Sequence, residues 1–193
     1  MNHRATVFFI LFVFFLSIYA AIAFYVTTPK PSQPFMAFGV CSHNLSPVPP
    51  CSNSESVGSS STVTLNQTIN WTLNITNNRD SIQFVKVISR IGNNQTSAPN
   101  ATRPAALPVL TNSTLFVPRG NTVTDFRWRV LSVISNSSLD YLRLDINGMV
   151  VNSTAGTPPE NQFRLLLELW TFDNVSGLFV YYTWLQVWFS VRA

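Results

Sequence analysis

Charge is what this chain lacks most: Asp, Glu, Lys and Arg make up 10% of its 193 residues, against about a quarter in ordinary soluble domains. Something other than charge must keep its surface in water. Histidine is nearly absent, His3 and His43 being the two copies, which removes the side chain most used for proton transfer and zinc binding. The carboxylates are spread from Glu55 to Asp173, and the one close pair, Asp140 and Asp145, has the odd spacing that sends strand residues to opposite faces. There is no glycine-rich phosphate cradle. These gaps exclude the usual acid-base, nucleophilic and metal constellations, so neither an enzyme nor a cofactor is expected.

Cysteine is equally scarce. Cys41 and Cys51 are the only copies, and in an oxidising compartment they are expected to close a local disulfide loop. A two-thiol metal site is the alternative, but His43 is the only further ligand nearby. The net charge of +4 is scattered along the chain. Arg127 and Arg129 flank Trp128 in the manner of a nucleic-acid stripe. The outward face of an ordinary strand explains the same residues, and no nucleic-acid partner is expected.

What the chain has in abundance is Asn, Ser and Thr. Asn-x-Ser/Thr triplets begin at Asn44, Asn66, Asn70, Asn74, Asn94, Asn100, Asn112, Asn136, Asn152 and Asn174, ten where composition alone would give roughly four. This is the acceptor pattern for N-linked glycans and predicts an extracellular, sugar-coated surface. Three acceptors fall in Thr62 to Thr76, TVTLNQTINWTLNIT, where Val63, Leu65, Ile69, Trp71, Leu73 and Ile75 alternate with polar residues. A period of two predicts a strand with the apolar set inward and Asn66, Asn70 and Asn74 outward, about 13–14 Å apart.

One long apolar run is present, from Val7 to Val26, enough to cross a hydrocarbon layer of roughly 30 Å as a helix in contact with membrane lipid. Arg4 on its short side predicts a cytoplasmic N-terminus and an external 27–193. A cleaved signal peptide, with an h-region from Val7 to Tyr19 and an Ala21-Ile22-Ala23 cleavage site, is the first alternative. A pilin-like leader cut after Ala5 is the second. The run continues through Phe24, Tyr25 and Val26 past the cleavage point, which favours a retained anchor.

Three regions follow from these patterns: residues 1–26 as transmembrane anchor or uncleaved signal, 27–61 as a Pro- and Ser-rich entry segment, and 62–193 as an extracellular β-domain. Phe35, Met36, Phe38 and Val40 suit one short strand within the entry segment. In the β-domain, Ser81 to Ile91 is expected to form an antiparallel hairpin with the opening strand through Asn77-Asn78-Arg79-Asp80. A polar loop from Gly92 to Arg103 and an extended Leu107 to Val117 come next. Thr122 to Ile134 sets Phe126, Trp128 and Val130 against Asp125, Arg127 and Arg129. Tyr141 to Ile146 and Met149 to Val151 flank Asn147-Gly148, a pair favoured in type I′ hairpins. Phe163 to Phe172 and Leu178 to Arg192 flank a turn from Asp173 to Gly177. The reading is all-β: an Ig-like antiparallel β-sandwich of about 7–8 strands, preceded by one N-terminal transmembrane helix. The last strand is apolar on both faces, with Phe179, Tyr181, Leu185, Val187 and Phe189 opposing Val180, Tyr182, Trp184 and Trp188. Either the entry segment covers its second face, or another chain does.

Three short motifs carry a family likeness: Pro29-Lys30-Pro31-Ser32-Gln33-Pro34-Phe35, the strand pair Ile69 to Ile88 around Asn77-Asn78, and Trp184-Leu185-Gln186-Val187-Trp188-Phe189-Ser190-Val191. With them the chain resembles an uncharacterised family of archaeal membrane proteins, a domain of unknown function with an N-terminal membrane region and an external β-domain. The resemblance implies an archaeal envelope location and lends no activity. The expectation is a non-enzymatic, N-glycosylated, membrane-anchored cell-surface protein with a structural or interaction role. The alternative is a filament or surface-lattice subunit, assembled by strand addition at the C-terminal aromatic strand or through a pilin-like helix.

Overall fold

Among the described residues, alternating side chains become ten strands in two facing sheets. The computed structural model describes residues 12–19, 34–42, 57–135, 140–154 and 162–192. The chain divides into two units, Met1–Gln33 and Pro34–Ala193. In the first, residues 12–19 are helical with exposed side chains; most of the expected membrane span 7–26 lies outside the described residues. Among the described residues no helix is long and apolar enough to cross a membrane.

The second unit contains β1 (Met36–Ser42), β2 (Val57–Thr64), β3 (Ile69–Asn77), β4 (Gln83–Asn93), β5 (Thr111–Val117), β6 (Gly120–Ser135), β7 (Asp140–Ile146), β8 (Met149–Thr154), β9 (Gln162–Asp173) and β10 (Leu178–Arg192). One sheet has the order β1-β3-β6-β7-β8 and the other β2-β10-β9-β4-β5. The β10-β9-β4 order and the β3–β6 pairing match the G-F-C and B-E neighbours of an immunoglobulin-type sandwich, with the β7–β8 hairpin appended beside β6. Two expectations need correction here. Among the described residues there are ten strands rather than about seven or eight, because the entry segment supplies β1 and the first residues of β2, where the prolines flank the strands and leave their backbone donors intact, and 62–76 is divided between β2 and β3. One pair, β2 with β10, is parallel.

The stretch 62–76 is not one ribbon. Its first residues end β2 in one sheet, the chain turns at Asn66 (φ 64°), and Ile69 starts β3 in the other. The Asn66 amide donates to the Val130 carbonyl at 2.8 Å, and the Gln67 amide closes back on Thr64 at 3.0 Å. Alternation survives the jump because both sheets turn their inner faces to one core: Val63, Ile69, Trp71, Leu73 and Ile75 are all buried. The expected β3–β4 hairpin is likewise an arch between sheets. Asn77 holds it, donating from Nδ2 to the carbonyls of Ser81 (2.9 Å) and Val117 (3.0 Å) while Oδ1 accepts from the Arg79 amide. The β3–β4 arch, the start of β1 and the β9–β10 turn share one end of the sandwich, the entry end, whereas the Asn66 turn lies at the opposite end.

The core is an aromatic column bridging the layers. Trp71 of β3 meets Trp128 of β6 edge-on at 5.2 Å, Trp128 meets Phe189 of β10 at 4.9 Å, and Phe189 meets Phe163 of β9 at 5.6 Å. Each such pair adds about 0.5–1.5 kcal/mol beyond its area burial. The Asn147-Gly148 hairpin forms as expected, with φ of 51° and 86° and β7–β8 paired around it.

The two-faced apolarity of β10 has a local cause. A bulge between Tyr181 and Thr183 inserts one residue and reverses parity. Phe179 and Tyr181, opposite Phe172 and Trp170, therefore share the outer face with Trp184 and Trp188, while Leu185, Val187, Phe189 and Val191 point into the core. Cover for that outer face comes from the segment after β4, whereas Met36 of the entry segment joins the core and its amide donates to Tyr182 Oη at 2.9 Å.

Candidate functional site

Eight of the ten acceptor asparagines lie among the described residues. Asn66, Asn70, Asn94, Asn100, Asn112, Asn152 and Asn174 are exposed, and Asn74 is half-buried; Asn44 and Asn136 lie outside the described residues. Asn70 and Asn74 stand on the outer face of β3, opposite Arg127 and Val123 of β6. The Asn74 Oδ1 atom is buried without a hydrogen-bond partner, a loss of about 1–3 kcal/mol for such a group. Asn66 occupies the inter-sheet turn, so the three acceptors are not an evenly spaced row on one strand. Asn112 and Asn152 sit on the edge strands β5 and β8. At Asn100 the triplet folds on itself: Oδ1 accepts from the Thr102 amide (2.9 Å) and hydroxyl (3.1 Å) and from the Arg103 amide (2.9 Å).

Cys41, on β1 opposite Thr72, is disulfide-bonded. Cys51 lies outside the described residues.

Sequence reasoning missed a buried ionic cluster. Residues 94–110 form a strap across the outer face of β4, β9 and β10. Beneath it Glu168, with no exposed side-chain surface, accepts from Arg90 Nε at 3.1 Å, from the Ala105 amide at 2.7 Å and from Trp170 Nε1 at 3.1 Å. Arg90 also donates to the Leu107 carbonyl. Arg164 donates to the Thr96 carbonyl (2.6 Å) and hydroxyl (2.9 Å) and lies over the Trp188 ring at 5.2 Å; burial pushes its pKa below the usual arginine value. The strap lies so close that a β-carbon on Gly92 would sit 2.3 Å from Thr96 Oγ1. The signal was present: Arg90, Arg164 and Glu168 interrupt near-continuous apolar runs, and charges there require a covered, paired environment. The cluster fastens the strap; its donors already saturate the carboxylate.

Elsewhere the residues alternate away from one another. Arg127 faces out and Trp128 is buried in the core, while Arg129 pairs with Asp145 at 2.8 Å. An open cleft of about 630 Å³ is lined by Val109, Leu110, Ile134, Tyr141, Arg143 and Asn152 among others. Among the described residues no group of three or more His, Cys, Asp or Glu converges as a metal site would require.

Comparison with known proteins finds no family profile that the chain matches and no curated protein that it matches. Among solved structures, a CARDB domain from Pyrococcus furiosus, determined in complex with di-metal ions, is similar over 86% of this chain and 95% of that one, with a TM-score of 0.41 and 11% identity. A likeness this distant carries no functional argument.

Proposed function

We propose that this is a non-enzymatic, N-glycosylated cell-surface β-sandwich, held to the membrane by residues 7–26 with its sandwich outside, serving a structural or interaction role in an envelope that the sequence resemblance makes archaeal. The supporting observation is the placement of the acceptors: seven of the eight described ones are exposed, and they occur on both sheets and in the turns between them. Glycans at these points would supply the hydration that a surface with 10% charged residues does not. Cys41 and Cys51 would close the loop between β1 and β2 in the same oxidising compartment. Intact-mass spectrometry of the native protein tests the reading: masses in excess of the peptide by several glycan increments are expected, and the bare peptide mass would refute it.

A second reading, a filament or lattice subunit joined by strand addition, draws on β10. Its parallel partner β2 pairs with it only between Val187 and Arg192. Negative-stain images of shed protein would show fibres under this reading and monodisperse particles under the first.

A further inference from the structure

The entry end of the sandwich carries an apolar surface that neither the acceptors nor the strap explains. Phe116, Phe84, Phe172 and Phe179 stand in one row across the outer face of β5, β4, β9 and β10. Their rings are in close contact, with centroids 4.7 Å apart for the stacked Phe84–Phe116 pair, 5.2 Å for the tilted Phe84–Phe179 pair and 5.4 Å for the edge-on Phe172–Phe179 pair. The strap reaches this face as far as Tyr181, whose hydroxyl donates to the Asn100 carbonyl; the phenylalanine row lies one step beyond, and Phe116 is 68% exposed. The adjoining turns continue the pattern. Ile82 and Leu178 are each 66% exposed and Val175 97%, at positions where water-facing turns favour Asn, Asp, Gly and Ser. A clustered apolar surface of this kind marks an interaction site.

Two observations select the occupant. The first is the chain path: β1 begins at this end, and eight chain steps separate Val26, the last residue of the apolar run, from Pro34, a reach of at most about 26–29 Å. The second is the rim. Lys86 Nζ lies 4.0 Å from the Phe179 ring centroid, the Arg79 guanidinium lies over Tyr182, and Arg119 of the β5–β6 turn pairs with Asp80 at 3.2 Å, while the Asp173 carboxylate is engaged within its own turn. Aromatic and aliphatic side chains edged by long cations suit the boundary between headgroups and acyl chains.

We infer that the entry end is a lipid-contacting surface, seated in the interfacial zone of the bilayer that residues 7–26 anchor; the inference rests on the anchored reading. It has a consequence for the acceptors. Asn174 is the one described acceptor placed in an entry-end turn, beside Ile82, Phe84 and Phe172, and it stays bare while acceptors such as Asn66 and Asn152 carry glycans.

The test uses the full-length chain reconstituted in phosphatidylcholine–phosphatidylglycerol vesicles, with an environment-sensitive fluorophore at Ile82→Cys, Leu178→Cys or Ile134→Cys. Ile134 is 64% exposed and lies toward the opposite end, on β6 opposite Tyr141, so it is a matched control. Spin-labelled lipid is expected to quench the first two labels about threefold or more beyond the third. Equal quenching at all three overturns the inference. Carbonate extraction of the same vesicles separates the failures: pelleted protein with equal quenching refutes the lipid-facing end alone, whereas released protein refutes the anchor beneath it. Label burial that grows with protein density but escapes lipid quenching identifies a second copy as the occupant and also overturns the inference, as does a glycan found on Asn174.

Discussion

Replacing Glu168 by alanine removes the one acceptor shared by three donors under the strap. Arg90 would be left with a side chain only 10% exposed and no counter-charge, and the Ala105 and Trp170 N–H groups would lose their partner. Breaking a buried pair from one side costs about 3–5 kcal/mol. Arg90 keeps its bond to the Leu107 carbonyl, which places the expected loss near the lower part of that range, about 3–4 kcal/mol. For a domain of this size that lowers Tm by about 6–16 °C. Removing both charges together, Arg90→Met with Glu168→Leu, should recover part of the loss, leaving about 1–3 kcal/mol for the orphaned N–H donors. Asp80→Ala is the control: its bridge to Arg119 joins side chains 93% and 68% exposed and is worth about 0–1 kcal/mol. Urea unfolding followed by near-ultraviolet circular dichroism gives the energies, and hydrogen exchange at the Ala105 amide reports the strap directly. A loss under about 1 kcal/mol with Ala105 protection unchanged would refute the view that this carboxylate fastens the strap.

Two further outcomes follow from turn geometry. Gly148 holds φ at +86° in the type I′ turn with no side-chain neighbour closer than 4.0 Å, so Gly148→Ala should cost about 1–2 kcal/mol through backbone strain alone, read as a lowered urea midpoint at unchanged m-value. The Asp173 carboxylate accepts from the Ser176 hydroxyl and from the Val175 and Ser176 amides, which hold its pKa below the ordinary 3.8. A carboxyl depressed on folding contributes stability that is present above its unfolded pKa and is lost as pH falls through the lower folded one. Carboxyl-carbon NMR should therefore place the Asp173 midpoint below 3.8, and Ser176→Ala should raise it; a midpoint unmoved by that substitution would refute the cause.

Much of the strand content could be read from the chain because a strand advertises its two faces locally. Phe126, Trp128 and Val130 alternate with Asp125, Arg127 and Arg129, and the first three are the ones buried. The Asn147-Gly148 turn was equally legible, since its backbone conformation demands those residue types. Partner choice was not. The opening strand and β4 read as a hairpin because they follow one another across a turn cluster, yet they lie in different sheets. Nothing within five residues of a turn distinguishes a hairpin from an arch; Asn77 holds the arch through Val117, forty residues away. The β10 bulge was hidden for the same reason: its extra residue exists only relative to the register of β9.

The amino-acid order alone determined which side chains avoid water, which turns require asparagine or glycine, and which asparagines carry an acceptor triplet, because each depends on residues within a few positions of one another. The tertiary structure alone decided which sheet each strand joins, which face the strap 94–110 covers, and that Arg90, Glu168 and Ala105 meet beneath it. Those outcomes are set by packing and hydrogen bonding between segments as far as 78 residues apart for Arg90 and Glu168 and 130 for Val57 and Val187, separations over which a local pattern holds no information about its partner.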